Sequence, residues 1–448
     1  MLSLYSLDRK SAKRWQTLVE QCQRILKEQQ ITTESPGTML RDVATLIEFV
    51  GSGGIVTKGR NANLPIDCLP ELNRRTSYPI QPGLKRALLR DYPNVAGTFI
   101  LLRVMDLLQA RGNRLVVWPA ALEFWRGLNP TEQYFALLEA LLFQAQTSVL
   151  GGEIRRQDAQ EFRTTVVFLG QLSDRWRNFN HYESARDLGL SGQIPPWYLF
   201  LLQQFGLVEI RPVPLAEQKR RDWGGRGWLV GGARLTTWGT AMTWALLEFW
   251  KANEREDEEA DNSEDTPEAD LEESPDDLSG AEQFGVLQPL FQPCFPEWRT
   301  VFVRPKREVR SGTHIFKATL TGWRGGGGGI WRRLAVPPDT SLDELAGAIL
   351  QAFKLDSDHL YDFRYRDQRG NSRIYNHPDT DEGPFTSEIT VAETDLARKA
   401  EMEFTFDYGD SWEFKVRLEK VVTGPCPSGP ELVESAGTPP KQYPQTEF

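Results

Sequence analysis

Apolar residues along the first 250 positions recur at helical spacing, in runs that stop near glycine and give way to short apolar strands. Three passages share this shape: MLRDVATLIEFVGSGGIVTKGRNANLPIDCLPELN, FILLRVMDLLQARGNRLVVWPAALEFWRGL, and a long third one from PPWYLFLLQQFGLVEI to ARLTTWGTAMTWALLEFW. In each, a helix is followed by a strand (GIVT, NRLVVW, GLVEI). The third continues through a glycine-rich excursion to a second strand, ARLTT, and a closing helix. Helix, strand, wing, strand, helix is the order of a winged helix-turn-helix, and the first two passages are compatible with the same order. Between them lies NPTEQYFALLEALLF, whose start is marked by Asn129, Pro130 and Glu132. Apolar positions nearly encircle it, so it belongs in a core.

Beyond residue 310 the pattern changes to alternation. HIFKATLTGW places Ile315, Lys317 and Thr319 on one face of a strand and Phe316, Ala318 and Leu320 on the other. IWRRLAV alternates in the same way until Pro337-Pro338 stops it. The glycines of GGGGG between these two strands read as a hairpin loop, where positive φ is needed. They do not read as a phosphate loop, because no helix follows them directly and no Gly-Lys-Ser or Gly-Lys-Thr ends the run. The helix SLDELAGAILQAFKL has its own start at Ser341, with Glu344 three residues on as in a capping box. HLYDFRYR with SRIY, turning at Gly370-Asn371, and EMEFTFDYG with SWEFKVRLEKV, turning at Gly409-Asp410, predict two more hairpins. The chain is therefore expected to be α+β overall, with a mainly helical, winged-helix-like front half and a back domain in which one main helix packs on a β-sheet.

Charge separates these halves. Of 52 Lys+Arg and 62 Asp+Glu, residues 1–250 hold 30 and 23, a surplus of seven cations. Residues 251–280 hold 2 and 14, a deficit of twelve, and residues 281–448 hold 20 and 25. The run KANEREDEEADNSEDTPEADLEESPDDLSG has almost no large apolar residues and is expected to be disordered. The predicted organisation is residues 1–250 as the helical half with tandem winged-helix modules, 251–284 as an acidic linker, and 285–448 as the α+β domain. Cleavage in the linker should then release two folded pieces. Four cysteines far apart, with no C-x-x-C, argue against a zinc site and a disulfide framework. Together with an amino terminus lacking a long apolar core and with no run of 18 apolar residues, they point to a soluble cytoplasmic protein with no membrane contact. No cofactor or metal is expected, and the oligomeric state stays open.

The candidate chemistry in the front half sits in the third passage. Lys219, Arg220, Arg221, Arg226 and Arg234 surround Trp223 and Trp228 in a glycine-rich loop. Such cations can neutralise phosphates, and such an aromatic can stack on a base. The partner expected for this half is DNA or another protein. In the back domain, IWRRLAVPPDTSLDELAGAILQAF, DHLYDF and FTFDYGDSWEFKVRLEKV together resemble the plasmid pRiA4b Orf-3-like family, over roughly residues 311–423. That resemblance implies a compact α+β domain and an association with mobile elements, without supplying an established activity. His359 matches a family histidine, Asp407, Gly409, Asp410 and Trp412 match its Y-D-F-G-D-x-W core, and Tyr361 and Phe414 stand where further histidines would. Cys426 stands alone in the segment after the last strand. Bottom-up, Asp407 and Asp410 suit a tight turn. The leading expectation is thus a non-enzymatic recognition protein of mobile elements or defence. The alternative is a metal-dependent hydrolase or nuclease using His359, Asp407 and Asp410.

Overall fold

The computed structural model describes residues 9–57, 63–111, 113–150, 161–179, 194–214, 216–217, 228–261, 284–305, 311–323, 329–380 and 383–442. The chain divides into two compact units, one formed within residues 1–305 and one within residues 306–448. No helix among the described residues is long and apolar enough to cross a membrane.

The first unit holds helices α1 (Arg9–Glu28), α2 (Met39–Val50), α3 (Leu69–Arg75), α4 (Pro93–Val104), α5 (Pro119–Gly127), α6 (Pro130–Glu139), α7 (Glu161–Gly170), α8 (Pro196–Gln204) and α9 (Thr237–Asp261), with a single turn α10 (Gln288–Phe291). Two small sheets interleave with them. Strands β1 (Ile55–Val56), β2 (Leu108–Arg111) and β3 (Arg114–Val117) form one, in the order β1-β3-β2. Strands β4 (Arg177–Asn178), β5 (Val208–Pro212) and β6 (Val230–Leu235) form the other, in the order β4-β6-β5. The first two sequence passages therefore do not make a module each. They complete one another: GIVT supplies β1, which pairs with β3 from NRLVVW, Ile55 opposite Leu115. From α2 to β3 and again from α7 to β6, the last strand of each set lies in the middle of its sheet.

The two sets meet through α4 and α8, which pack on each other. Every residue of α4 is buried, as are Trp197 to Leu202 and Gln204 of α8. Gly97 makes the crossing close: a Cβ there would lie 2.6 Å from Leu201 Cγ and 2.9 Å from the Trp197 carbonyl oxygen. The carboxylate trapped at this junction is paired. The buried Asp42 accepts from the Ser77 amide (2.8 Å) and hydroxyl (2.7 Å) with one oxygen, and from Gln204 Nε2 (2.7 Å) with the other. A buried carboxylate saturated in this way fixes α2 to α8 rather than costing an unmet charge.

The acidic run departs from its expected form at both ends. Residues 251–261 are helical, as the continuation of α9, and 262–283 lie outside the described residues. Residues 284–305 then pack into the first unit, with Leu287, Phe291, Phe295, Trp298 and Phe302 in its core. The boundary between units thus falls at Pro305/Lys306, where the sequence reading placed it at 285.

The second unit is one antiparallel sheet. It contains β7 (Thr313–Gly322), β8 (Trp331–Val336), β9 (Tyr361–Arg366), β10 (Ser372–Asn376), β11 (Glu401–Phe406), β12 (Trp412–Val422) and β13 (Glu431–Ala436), ordered β10-β9-β11-β12-β7-β8-β13. The three expected hairpins are present, with His314 opposite Val336, Arg366 opposite Ser372, and Phe406 opposite Trp412. Of the glycine run, Gly329 is described and has φ +75°. Helix α11 (Leu342–Phe353) starts at Ser341, whose hydroxyl accepts from the Glu344 amide (3.1 Å) while Glu344 Oε2 accepts from the Ser341 amide (2.8 Å). Its buried Leu345, Ile349 and Phe353 share a core with Phe316, Ala318 and Leu320, the face that alternation assigned inward. Strand β13 was not foreseen: its residues are mostly exposed, so no apolar alternation marks it.

Candidate functional site

The second sheet of the first unit turns Val208, Ala233 and Leu235 inward and leaves the alternate positions of β5 and β6 outward. Outward, Glu209 lies opposite Arg234 and Arg211 opposite Gly232. Trp176, 38% exposed, has both guanidinium groups close to its ring, Arg211 at 4.9 Å and Arg234 at 5.0 Å. Two cations near one indole are drawn to its electron-rich ring. They are also pinned laterally: Arg211 donates to Asn178 Oδ1 (2.5 Å) and Arg234 to Glu209 Oε2 (2.6 Å). Arg234 is thus a surface cation as expected, although shared with a carboxylate. Lys219, Arg220, Arg221, Trp223 and Arg226 lie outside the described residues. Trp228, at the end of that loop, folds back to 5.4 Å from the Phe200 ring. The sequence reading missed Trp176 and Arg211. Their signal was the alternation of GLVEIRP, which puts Glu209 and Arg211 on one face, and the Arg175-Trp176-Arg177 triplet that leads into β4.

In a winged module that reads DNA bases, the third helix enters the major groove. Here α4 and α8, the helices just before β2 and β5, are buried against one another and present no face to a groove. The sequence carried this too, because FILLRV and WYLFLL are apolar on every side.

In the second unit the structure brings two of the three expected residues together. His359 Nε2 is 3.6 Å from Asp407 Oδ2 and 3.8 Å from Asp358 Oδ1. Asp407 itself is a turn residue: φ is +52°, its Oδ1 accepts from the Gly409 (3.0 Å) and Asp410 (3.2 Å) amides, and its carbonyl accepts from Ser411 (2.7 Å). Asp410 joins through its backbone N–H. Among the described residues no three His, Cys, Asp or Glu side chains are grouped so that they could hold a metal ion. Neighbouring polar groups are engaged structurally. The fully buried Asp362 takes Arg364 on both oxygens (3.0 and 2.7 Å) and the Tyr408 hydroxyl at 3.1 Å. Tyr361, in a position where the family carries histidine, donates to Asp343 of α11, and burial pushes its phenol well above the ordinary value. The cluster ties the β11–β12 turn to β9 and to the start of α11.

Of two further carboxylates, Glu132 was read only as a helix start and Glu139 escaped the sequence reading. Glu132 and Glu139 are both buried on α6, and burial pushes the Glu139 carboxyl up to about 7. Both accept backbone N–H groups from residues 284–305.

Residues 314–442 match the model of the family described as plasmid pRiA4b ORF-3-like protein. The resemblance seen over 311–423 is met there and extends through β13. The uncharacterized protein y4hQ of Sinorhizobium fredii (strain NBRC 101917 / NGR234) is 28% identical over 113 residues, covering 24% of this chain and 55% of that protein. The chain thus spans about half the length of this curated relative. A solved structure, a protein of unknown function from Methanosarcina mazei Go1, matches at 23% identity over 29% of this chain and 72% of that one, with a TM-score of 0.25.

Proposed function

We propose a non-enzymatic binding protein whose first unit consists of two winged-helix-type modules fused through their third helices. Its partner is nucleic acid, gripped by the backbone through the wing and sheet of the second module. The observation that carries this reading is the mutual burial of α4 and α8. With both third helices unavailable, sequence-specific groove reading is closed, and the outward face around Trp176 is what the second module can offer. That face suits a phosphate backbone, since Arg211 and Arg234 supply the charge and Trp176 a plane on which a base can stack. The sequence beyond β5 carries Lys219, Arg220, Arg221, Trp223 and Arg226, and the same binding role is assigned to them. The second unit acts as a recognition module, and the plasmid-derived name of its family supports a place among mobile elements or their host's defences.

Gel-shift titration at about 50 mM salt with a mixed-sequence duplex and its single strand tests this. Binding should be indifferent to sequence and weaken about tenfold or more in Trp176→Ala, the loss expected for one stacked base. Absence of binding to either strand form would overturn the nucleic-acid reading and leave a protein partner.

A further inference from the structure

Residues 284–305 behave within the first unit as a bound peptide behaves. They follow 22 undescribed positions after α9, and apart from the single turn α10 they form no helix or strand. Four of their backbone donors are met by side chains of α6, and none by a neighbouring strand among the described residues. Glu139 takes the Gly285 amide on Oε2 (2.6 Å) and the Leu287 amide on Oε1 (2.7 Å). Two helical turns earlier, on the same side of α6, Glu132 Oε1 takes the amides of Arg299 (3.0 Å) and Thr300 (2.7 Å). The segment therefore runs antiparallel to the helix, with a carboxylate clamp at each end.

Between the clamps the contact is aromatic. Phe135 stacks on Trp298 at 4.3 Å with 9° between the planes, and Phe291 and Phe295 lie 4.9 and 5.2 Å from the same ring. Asn129 Nδ2 and Thr131 Oγ1 bond the Glu297 carbonyl (2.9 Å) and carboxylate (2.8 Å), fixing the register at the start of α6. Beyond Thr300, Phe302 packs edge-on against Phe124, and Arg304 donates to the Val104 carbonyl at the end of α4 (3.1 Å). Gly285 has φ +96°, and a Cβ there would meet Val301 at 2.6 Å, so the entry of the segment also excludes side chains.

We propose that the face of α6 is a peptide-docking site whose occupant is residues 284–305 of this chain, and that the acidic run is consequently a loop with both ends on the first unit. The run does not tether the two units. A chain severed within it stays one particle, because the anchor beyond the cut is held by four amide–carboxylate bonds and a buried aromatic cluster.

The test uses the full chain with a specific protease site inserted within residues 262–283 and cleaved to completion. At about micromolar concentration the two fragments should leave a sizing column together, with the mass of the intact chain. Trp298→Ala, which removes the central anchor, should weaken their association about 30-fold or more after the same cut, as truncating a central anchor does. The uncut variant's far-UV circular dichroism and melting curve establish that it folds. Wild-type fragments that separate on the column would overturn the proposal whatever the variant does. Co-elution unaffected by Trp298→Ala and by Glu132→Ala/Glu139→Ala together would overturn the assignment of the site to α6.

Discussion

At the scale of single residues, Glu139 is the most consequential buried charge. Burial raises its carboxyl from 4.5 to about 7, with the Gly285 and Leu287 amides pulling the other way. The folded chain therefore keeps a proton between those values that the unfolded chain releases. By linkage, that contribution is fully present below pH 4.5 and is lost as pH rises through about 7. Wild type should thus lose on the order of 3 kcal/mol relative to Glu139→Gln across this window, read by chemical denaturation at a series of pH values. A constant difference between the two would contradict the burial of an ionisable carboxyl. The adjacent arginines of β8 give a second contrast. As expected for neighbours on a strand, they point to opposite faces. Arg332 is buried, donating to the carbonyls of Ala352 (2.9 Å) and Ala436 (3.0 Å) beside the Phe353 ring. Arg333 faces outward between Glu419 and Glu434. Arg332→Ala should cost about 2–4 kcal/mol by orphaning buried carbonyls, and Arg333→Ala less than about 1 kcal/mol. Equal losses in urea titration would refute this division.

At the scale of elements, local signals were read well and docking was not. The hairpins of the second unit, the Ser341–Glu344 cap and the inward face of β7 were legible because alternation and capping are properties of neighbouring residues. The Asn129–Glu132 start of α6 was legible for the same reason, with the Glu132 amide donating to Asn129 Oδ1 at 3.0 Å. What escaped was which distant partner each element meets. GIVT and NRLVVW were given to separate modules although they pair across 60 positions, Ile55 with Leu115. Residues 284–305 carry Leu287, Phe291, Phe295, Trp298 and Phe302 in plain view. Following the acidic run, they were assigned forward to the second unit, whereas they fold back on the first. Linear order does not state which core an apolar stripe will enter. The α4–α8 crossing yields a further expectation. Gly97→Val should destabilise the first unit by about 1–3 kcal/mol, since its methyls would enter space held by Leu201 and the Trp197 carbonyl. A melting temperature equal to wild type would show that the helices are free to part.

At the scale of the whole molecule, the net charge of −10 conceals a division of labour. The first unit holds the face around Trp176 and the buried α4–α8 crossing, while residues 251–280 hold 14 Asp+Glu against 2 Lys+Arg. The second unit contributes an antiparallel sheet whose His359, Asp407 and Asp410 serve the β11–β12 turn, with Asp407 accepting two amides there. Among the described residues that trio forms no group able to hold a metal ion, and the account rests on binding by the face around Trp176. The most direct measurement is the affinity for a mixed-sequence duplex between about 50 and 200 mM salt, for wild type and for Arg211→Ala/Arg234→Ala. Each phosphate contact contributes about −0.9 to the slope of log affinity against log salt. The double variant should bind more weakly and lose about 1.8 from that slope. An unchanged slope, or an affinity equal to wild type, would contradict the assignment of nucleic-acid binding to this face.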